Sequence, residues 1–258
     1  MSLEKATVLI TGASRGLGRT VAQTFSEHGS RLALMSRTQE ELQQAAQELD
    51  PAGDSCLICP GDVTKQDDLT GFVQAAIARF GSIDVLINNA AIIGPPQFLG
   101  SKDQTDWSKT VDIDLKAPAE LCRAALPQMQ AQKDGIVINI SSGLARMAFP
   151  RFNAYCVAKA GLEQMTRCLS EEYSNSGISF YAVDPGLMDT AMQSEIRSFP
   201  EDEISPELKR QFQQMKEEGH LRSPHKTAEL IIALAQHRPQ AINGRTASIK
   251  DLPGIIGN

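Results

Sequence analysis

The stretch Lys5-Ala-Thr-Val-Leu-Ile-Thr-Gly-Ala-Ser-Arg-Gly-Leu-Gly18 decides the fold. Its apolar run, residues 6–10, predicts a buried strand of a parallel sheet. Glycines follow at 12, 16 and 18, and Leu17, Val21, Ala22 and Phe25 then share one helical face. A strand, a glycine turn and a helix in that order aim free backbone N–H groups, and the positive end of a helix dipole, at an anion. The spacing is G-x-x-x-G-x-G rather than the more general G-x-G-x-x-G. Glycines can mark any tight turn; directly after a first strand they point to a bound phosphate. Gly12, Ser14, Arg15, Gly16, Leu17 and Gly18 are the candidate phosphate-binding residues.

The second predicted strand, 31–35, runs into Ser36-Arg37. In dinucleotide-binding folds an acid near this point grips the ribose 2′-hydroxyl. Here Ser36 stands at that point and an arginine follows. Arg15 and Arg37 are two forked guanidinium groups suited to a 2′-phosphate. NADP(H) is therefore the expected cofactor, with Ser36 and Arg37 beside its ribose. Either arginine could instead be an ordinary solvated loop residue.

Working outward, strand and helix patterns alternate to the end of the chain. Strands are expected near 6–10, 31–35, 56–59, 83–87, 135–140, 178–183 and 245–249. Helices are expected near 16–28, 38–49, 66–80, 104–131, 154–175 and 223–236. Such alternation predicts an α/β protein, a single-domain doubly wound parallel sheet of Rossmann type over residues 1–258. Ligands bind such sheets beyond the carboxyl ends of the strands. Asp62, Asn89, Ser142 and Pro185-Gly186 all follow predicted strands. Residues 187–222 break the pattern, with Met188, Met192, Ile196, Phe199, Leu208, Phe212 and Met215 spread through them. A long excursion at the ligand edge predicts a substrate lid of one or two amphipathic helices. Ser223-Pro224 then reads as the cap and first turn of the next helix.

Tyr155 and Lys159 stand four residues apart, so one helical face carries both, and Ser142 precedes the tyrosine by thirteen residues. A lone match of this kind is usually a surface accident. In this setting it is an acid–base kit. A fixed ammonium at roughly 5 Å favours a phenolate by about 3 kcal/mol at an effective dielectric of about 20. That would bring a phenol toward proton exchange near neutrality. Ser142 can donate a second hydrogen bond to the same substrate oxygen.

Composition narrows the function classes. The net charge is −6 at pH 7, against a nucleic-acid surface. No apolar run approaches a membrane span, and no signal-peptide core precedes the first strand, so a cytoplasmic protein is expected. The five cysteines are an odd number in a chain too large to need staples. Cys56-Leu-Ile-Cys59 lies in a predicted strand, where it reads as structural rather than redox or metal-binding. The four histidines show no metal spacing, and no metal site is expected; His28 and His237 fall at predicted helix C-termini.

Taken together, Thr11-Gly12-x-x-x-Gly16-x-Gly18, Asp62-Val63, Asn88-Asn89-Ala90, Ser142, Tyr155-x-x-x-Lys159 and Pro185-Gly186 with Thr190 resemble the short-chain dehydrogenase/reductase family along nearly the whole chain. Closer similarity, in Ala154-Tyr-Cys-Val-Ala-Lys-Ala160 and Pro185-Gly-Leu-Met-Asp-Thr-Ala-Met-Gln193, is to the sepiapterin reductase and bacterial benzil reductase branch. Leu221-Arg-Ser-Pro224 is similar to the benzil reductases in particular. The resemblance implies NADPH-dependent hydride transfer to a ketone or vicinal diketone. It implies that Tyr155 protonates the carbonyl oxygen, Ser142 orients it, and Lys159 holds the nicotinamide ribose and lowers the tyrosine pKa. Asp62 and Val63 would meet the adenine, Asn89 and Ala90 the adjacent ribose and backbone, and Met188 and Thr190 the carboxamide.

Three departures stand out. Asp114 occupies the position of the family's fourth catalytic residue, an asparagine whose backbone carbonyl holds a water. The expectation is that the helix turns the Asp114 side chain away and keeps the backbone role. A carboxylate facing Lys159 would instead raise the tyrosine pKa. Ser248, with Asp251 three residues on, stands where sepiapterin reductases anchor a pterin with an aspartate. Ala91 replaces a usual glycine, with no evident consequence. The expected partners are a small-molecule carbonyl substrate and copies of the same chain, in a homodimer or homotetramer. The alternatives are a non-catalytic NADPH-binding sensor, and an alcohol or steroid dehydrogenase of the same fold.

Overall fold

The computed structural model describes residues 1–100, 105–200 and 203–257. Seven strands form one parallel sheet in the order β3-β2-β1-β4-β5-β6-β7. They are β1 (Thr7–Thr11), β2 (Arg31–Ser36), β3 (Cys56–Pro60), β4 (Val85–Asn88), β5 (Gly135–Ile140), β6 (Ile178–Asp184) and β7 (Thr246–Ser248). Strands β1, β4 and β5 are buried at every position, because helices cover both faces of the sheet. Alternate residues serve the two sides. Val8, Ile10 and Ile138 join one core with α1 (Gly16–Glu27) and α9 (Pro224–His237), which pack on each other. Leu9, Leu86 and Val137 join the other with α3 (Gln66–Phe80) and α5 (Ala117–Gln132). Helix α2 (Gln39–Leu49) lies between β2 and β3 in sequence, and α6 (Asn153–Glu172) between β5 and β6.

The expected strands and helices are found with boundaries shifted by at most three residues, except on the long middle helix. That helix is broken into α4 (Thr105–Val111), a π-helical turn over Asp112–Lys116, and α5. Pro118 supplies the physical reason. It has no N–H to give to the Asp114 carbonyl four residues back, so the regular ladder cannot pass. The expected excursion holds two helices, α7 (Ala191–Ser198) and α8 (Pro206–Glu217). The Leu208 side chain lies outside the described residues. Ser223 caps α9 by accepting from the His225 N–H, with Pro224 in the first turn. A short α10 (Leu252–Ile256), unannounced by the sequence, follows a capped turn at Ser248 and Asp251.

Candidate functional site

The candidate residues gather at the carboxyl edge of the sheet. Gly12 has φ +64° and Gly16 φ +55°, the left-handed conformation that favours glycine. A methyl group on Gly18 would fall 2.3 Å from the Gly12 carbonyl oxygen. Glycine at 18 is thus what lets α1 start directly against the loop. Arg15 precedes α1 with no side-chain cap, and the first turn carries no acid, so its leading N–H groups face outward unscreened. This cradle fits a pyrophosphate. Across from it, Thr190 begins α7 and lies within 3.9 Å of where a Gly16 side chain would start. Pro185 and Gly186 form the loop between, with the Gly186 N–H donating to Asp184 Oδ1 at 3.0 Å. Met188 packs on the core and bridges to Arg222.

At the adenosine end, Ser36 and exposed Arg37 end β2 as expected. Arg37 faces Asp62. Burial pushes the Asp62 carboxyl up, but two hydrogen bonds from Thr64 and the Arg37 and Lys65 charges outweigh it and hold it below the usual carboxylate range. Val63 packs beside this residue on the second core. Sequence reasoning missed Glu41. It lies one turn into α2, and Ser14 Oγ donates to its Oε2 at 2.8 Å. Only the long-range contact between the glycine loop and α2 reveals it. Asn89 braces the cradle, its side-chain amide donating to the Thr11 and Gly12 carbonyls at 2.9 and 3.2 Å. The Ala90 N–H donates to Thr11 Oγ1.

Ser142, Tyr155, Lys159 and Asp114 meet beneath the edge. Ser142 caps a 3-10 turn, Gly143–Ala145, by accepting from the Leu144 N–H at 3.2 Å, and its hydroxyl lowers the pKa of the neighbouring Tyr155 phenol. Lys159 Nζ lies 5.5 Å from the Tyr155 ring centre and donates to the Ile140 carbonyl at 2.9 Å. An ammonium has three donors; the second side faces Asp114 Oδ2 at 3.2 Å. Asp114 is fully buried, and its Oδ1 accepts from the Ile92 N–H at 2.9 Å. This corrects the expectation for position 114: the π-helical turn carries the carboxylate toward Lys159, not away.

A second correction follows from the first. Lysine alone was expected to bring the phenol toward neutrality. Burial, and next the Asp114 charge, push Tyr155 well above the ordinary tyrosine range, against the lowering effect of Ser142. Burial also pushes the Asp114 carboxyl up, with Lys159 pulling it back. The phenol thus stays protonated through neutral pH, and is a weaker acid than a free tyrosine. The helix bearing Tyr155 and Lys159 is pinned to the sheet by a buried chain, from Asn88 to Asn139 to Thr166, at 2.7 and 2.9 Å.

The lid covers Tyr155. Ile196 of α7 and Phe212 of α8 join Ile93, Phe152 and Ile204 in a third apolar cluster around it. Phe149 meets Phe212 edge-on at 6.0 Å. The CxxC pair lies on β3, as expected, and burial pushes the Cys56 thiol up to about 12. Among the described residues no cluster could hold a metal, and no helix is long and apolar enough to cross a membrane.

The short chain dehydrogenase family model matches residues 6–201. The chain belongs to this family. The oxidoreductase UcpA of Escherichia coli is 36% identical over 199 residues, 76% of this chain and 75% of that protein. Among solved structures, the short chain dehydrogenase/reductase YIR035C of Saccharomyces cerevisiae superposes with a TM-score of 0.90 at 30% identity, covering 98% of each chain. Levodione reductase superposes with a TM-score of 0.83 at 26% identity, covering 99% of each. As a short-chain dehydrogenase the chain is an oxidoreductase with a nicotinamide cofactor, which the glycine cradle and the uncapped start of α1 accommodate.

Proposed function

We propose that this short-chain dehydrogenase is an NADPH-dependent carbonyl reductase acting on uncharged ketones or vicinal diketones. The observation that carries the reading is the buried Tyr155 phenol, beside Ser142 and Lys159 under an apolar, aromatic lid. A bound nicotinamide supplies the hydride. The Ser142 hydroxyl and the Tyr155 phenol converge on the carbonyl oxygen; Ser142 polarises it, and Tyr155 gives up its proton as the oxygen gains charge. Lys159 keeps one N–H free for a ribose hydroxyl and stabilises the phenolate as it forms. The π-helical turn leaves the Asp114 carbonyl without its usual helical donor, so it can hold a water that returns the proton. Met192, Phe199 and Phe212 close over the substrate and exclude bulk water.

Arg15 and Arg37 support the choice of NADPH, since both guanidinium groups stand exposed at the ribose end. Glu41 works the other way and would have to release Ser14. The likeness to levodione reductase, and the sequence similarity to the benzil reductase branch, support a dicarbonyl substrate. The test is NADPH consumption across a panel of diketones, quinones, aldehydes and pterins. Tyr155→Phe should lose reduction by at least about 100-fold, the usual weight of a general acid, yet bind NADPH as before in thermal-shift titration. Tighter binding of NADH, or a Tyr155→Phe variant with most of its kcat, overturns the reading. The Asp114 carboxylate favours a second reading, a non-catalytic NADPH-binding sensor. Binding without turnover of any carbonyl, with turnover gained in Asp114→Asn, would select it.

A further inference from the structure

The turn that carries Ser142 is tied down from behind by charges that the reaction described above does not use. Ser141 Oγ donates to Glu163 Oε1 at 2.8 Å. The same oxygen accepts from Arg146 Nη1 at 3.1 Å, while the other arm of the fork, Nη2, pairs with Asp184 Oδ2. Asp184 uses its remaining oxygen to hold the Gly186 N–H. One guanidinium therefore joins three pieces: the serine turn, the helix that carries Tyr155 and Lys159, and the loop that begins with Pro185 and Gly186. The carboxylates are not surface groups. The Glu163 side chain is 4% exposed and that of Asp184 15%, although Arg146 itself is 48% exposed. Exposed ion pairs matter little, whereas a buried carboxylate stripped of its cation must move, find water or take up a proton.

We propose that Arg146 is a positioning residue of the reaction, which by gripping Glu163 and Asp184 together sets the Ser142 hydroxyl against Tyr155 and against the Gly186 loop. The inference rests on the carbonyl-reductase reading. Tyr155, Lys159 and Glu163 follow one another at four-residue steps on α6, so a shift of Glu163 is felt along the same face. The fork also matters electrostatically. The groups that face Tyr155 are Asp114 from the π-helical turn, Lys159 and Cys156 from its own helix, Ser142 from the serine turn and Asp184 from β6; the lid adds apolar side chains. Asp184 is among those that oppose ionisation of the phenol, and Arg146 is the cation set against it.

The test uses the full chain with Arg146→Met, which keeps length and loses charge, and Arg146→Lys, which keeps charge and loses the fork. In Arg146→Met, kcat for carbonyl reduction should fall roughly 10- to 100-fold, as for a catalytic group displaced by about 1 Å. The substrate KM and the NADPH dissociation constant should change far less. The pH profile of alcohol oxidation, which needs the phenolate, should move to higher pH because Asp184 is left unopposed. Arg146→Lys should restore the profile and recover kcat only in part. A parental kcat and profile in Arg146→Met, or a loss confined to melting temperature in both variants, overturns the proposal. If the unaltered protein reduces no carbonyl, the functional reading is what fails. Amide hydrogen exchange then decides for Arg146: faster exchange over 141–146 and 184–186 in Arg146→Met supports the clamp, and unchanged exchange removes it.

Discussion

Asp114 places a negative charge 3.2 Å from the Lys159 ammonium in the interior of the protein. Its effect on Tyr155 has a definite sign. A raised phenol pKa keeps the proton donor loaded through neutral and mildly alkaline pH, so the reductive rate should be flat there. Oxidation needs the phenolate and should climb with pH. Asp114→Asn removes a group that opposes ionisation, while its Oδ1 can still accept from Ile92. The oxidation profile should therefore move down by about one pH unit or more, as a neighbouring charge typically dictates. Coincident profiles in the two forms would show that the carboxylate is not felt at the tyrosine. Tyr155, Lys159 and Ser142 were legible because helical spacing and position after a strand fix their side. The direction of Asp114 was not. It depends on a π-helical turn set by Pro118, and periodicity carries no sign of such a turn. Arg146, Glu163 and Asp184 escaped for another reason: their meeting is a contact between three separate elements, with no local spacing to mark it.

At the scale of elements, the lid is the part that packs on Tyr155 from outside the sheet. Helices α7 and α8 touch each other and the Tyr155 cluster. Phe212, 6% exposed, supplies the edge-on contact to Phe149. Truncating a buried phenylalanine costs about 3–5 kcal/mol in a core. A lid can open by itself, so most of that loss should appear as poorer closure rather than global unfolding. Phe212→Ala is expected to raise KM for an apolar ketone roughly tenfold, the effect of about 1.4 kcal/mol. Its melting temperature should fall by only a few degrees. Steady-state kinetics beside a thermal melt checks this; a large drop in melting temperature with KM unchanged would make α8 a structural helix. The existence of amphipathic helices here was legible from spaced apolar residues. Their packing on Tyr155 was not, because the same pattern would suit any apolar neighbour. Short α10 gave no signal, being too brief for periodicity to register.

For the whole molecule, alternating strands and helices were enough to predict a parallel sheet, and right-handed crossovers leave few ways to order it. The position of β7 at the far edge, three residues long, rests on pairing with β6 that no local pattern announces. The packing of α1 on α9 has a consequence for how the protein is made. Leu17, Val21, Ala22 and Phe25 of α1 are covered by a helix from the last part of the chain. At roughly 5–20 residues per second, the about 200 residues between them take the ribosome roughly 10–40 s to deliver. Throughout that interval the face of α1 that meets α9 lacks its cover. A chain stopped after Arg222 should consequently be recovered in inclusion bodies or bound to a chaperone, and supplying residues 223–258 as a separate peptide should return part of it to solution. An early helix is thus left waiting on a late one, and until α9 arrives that face of α1 is a place for a chaperone to hold.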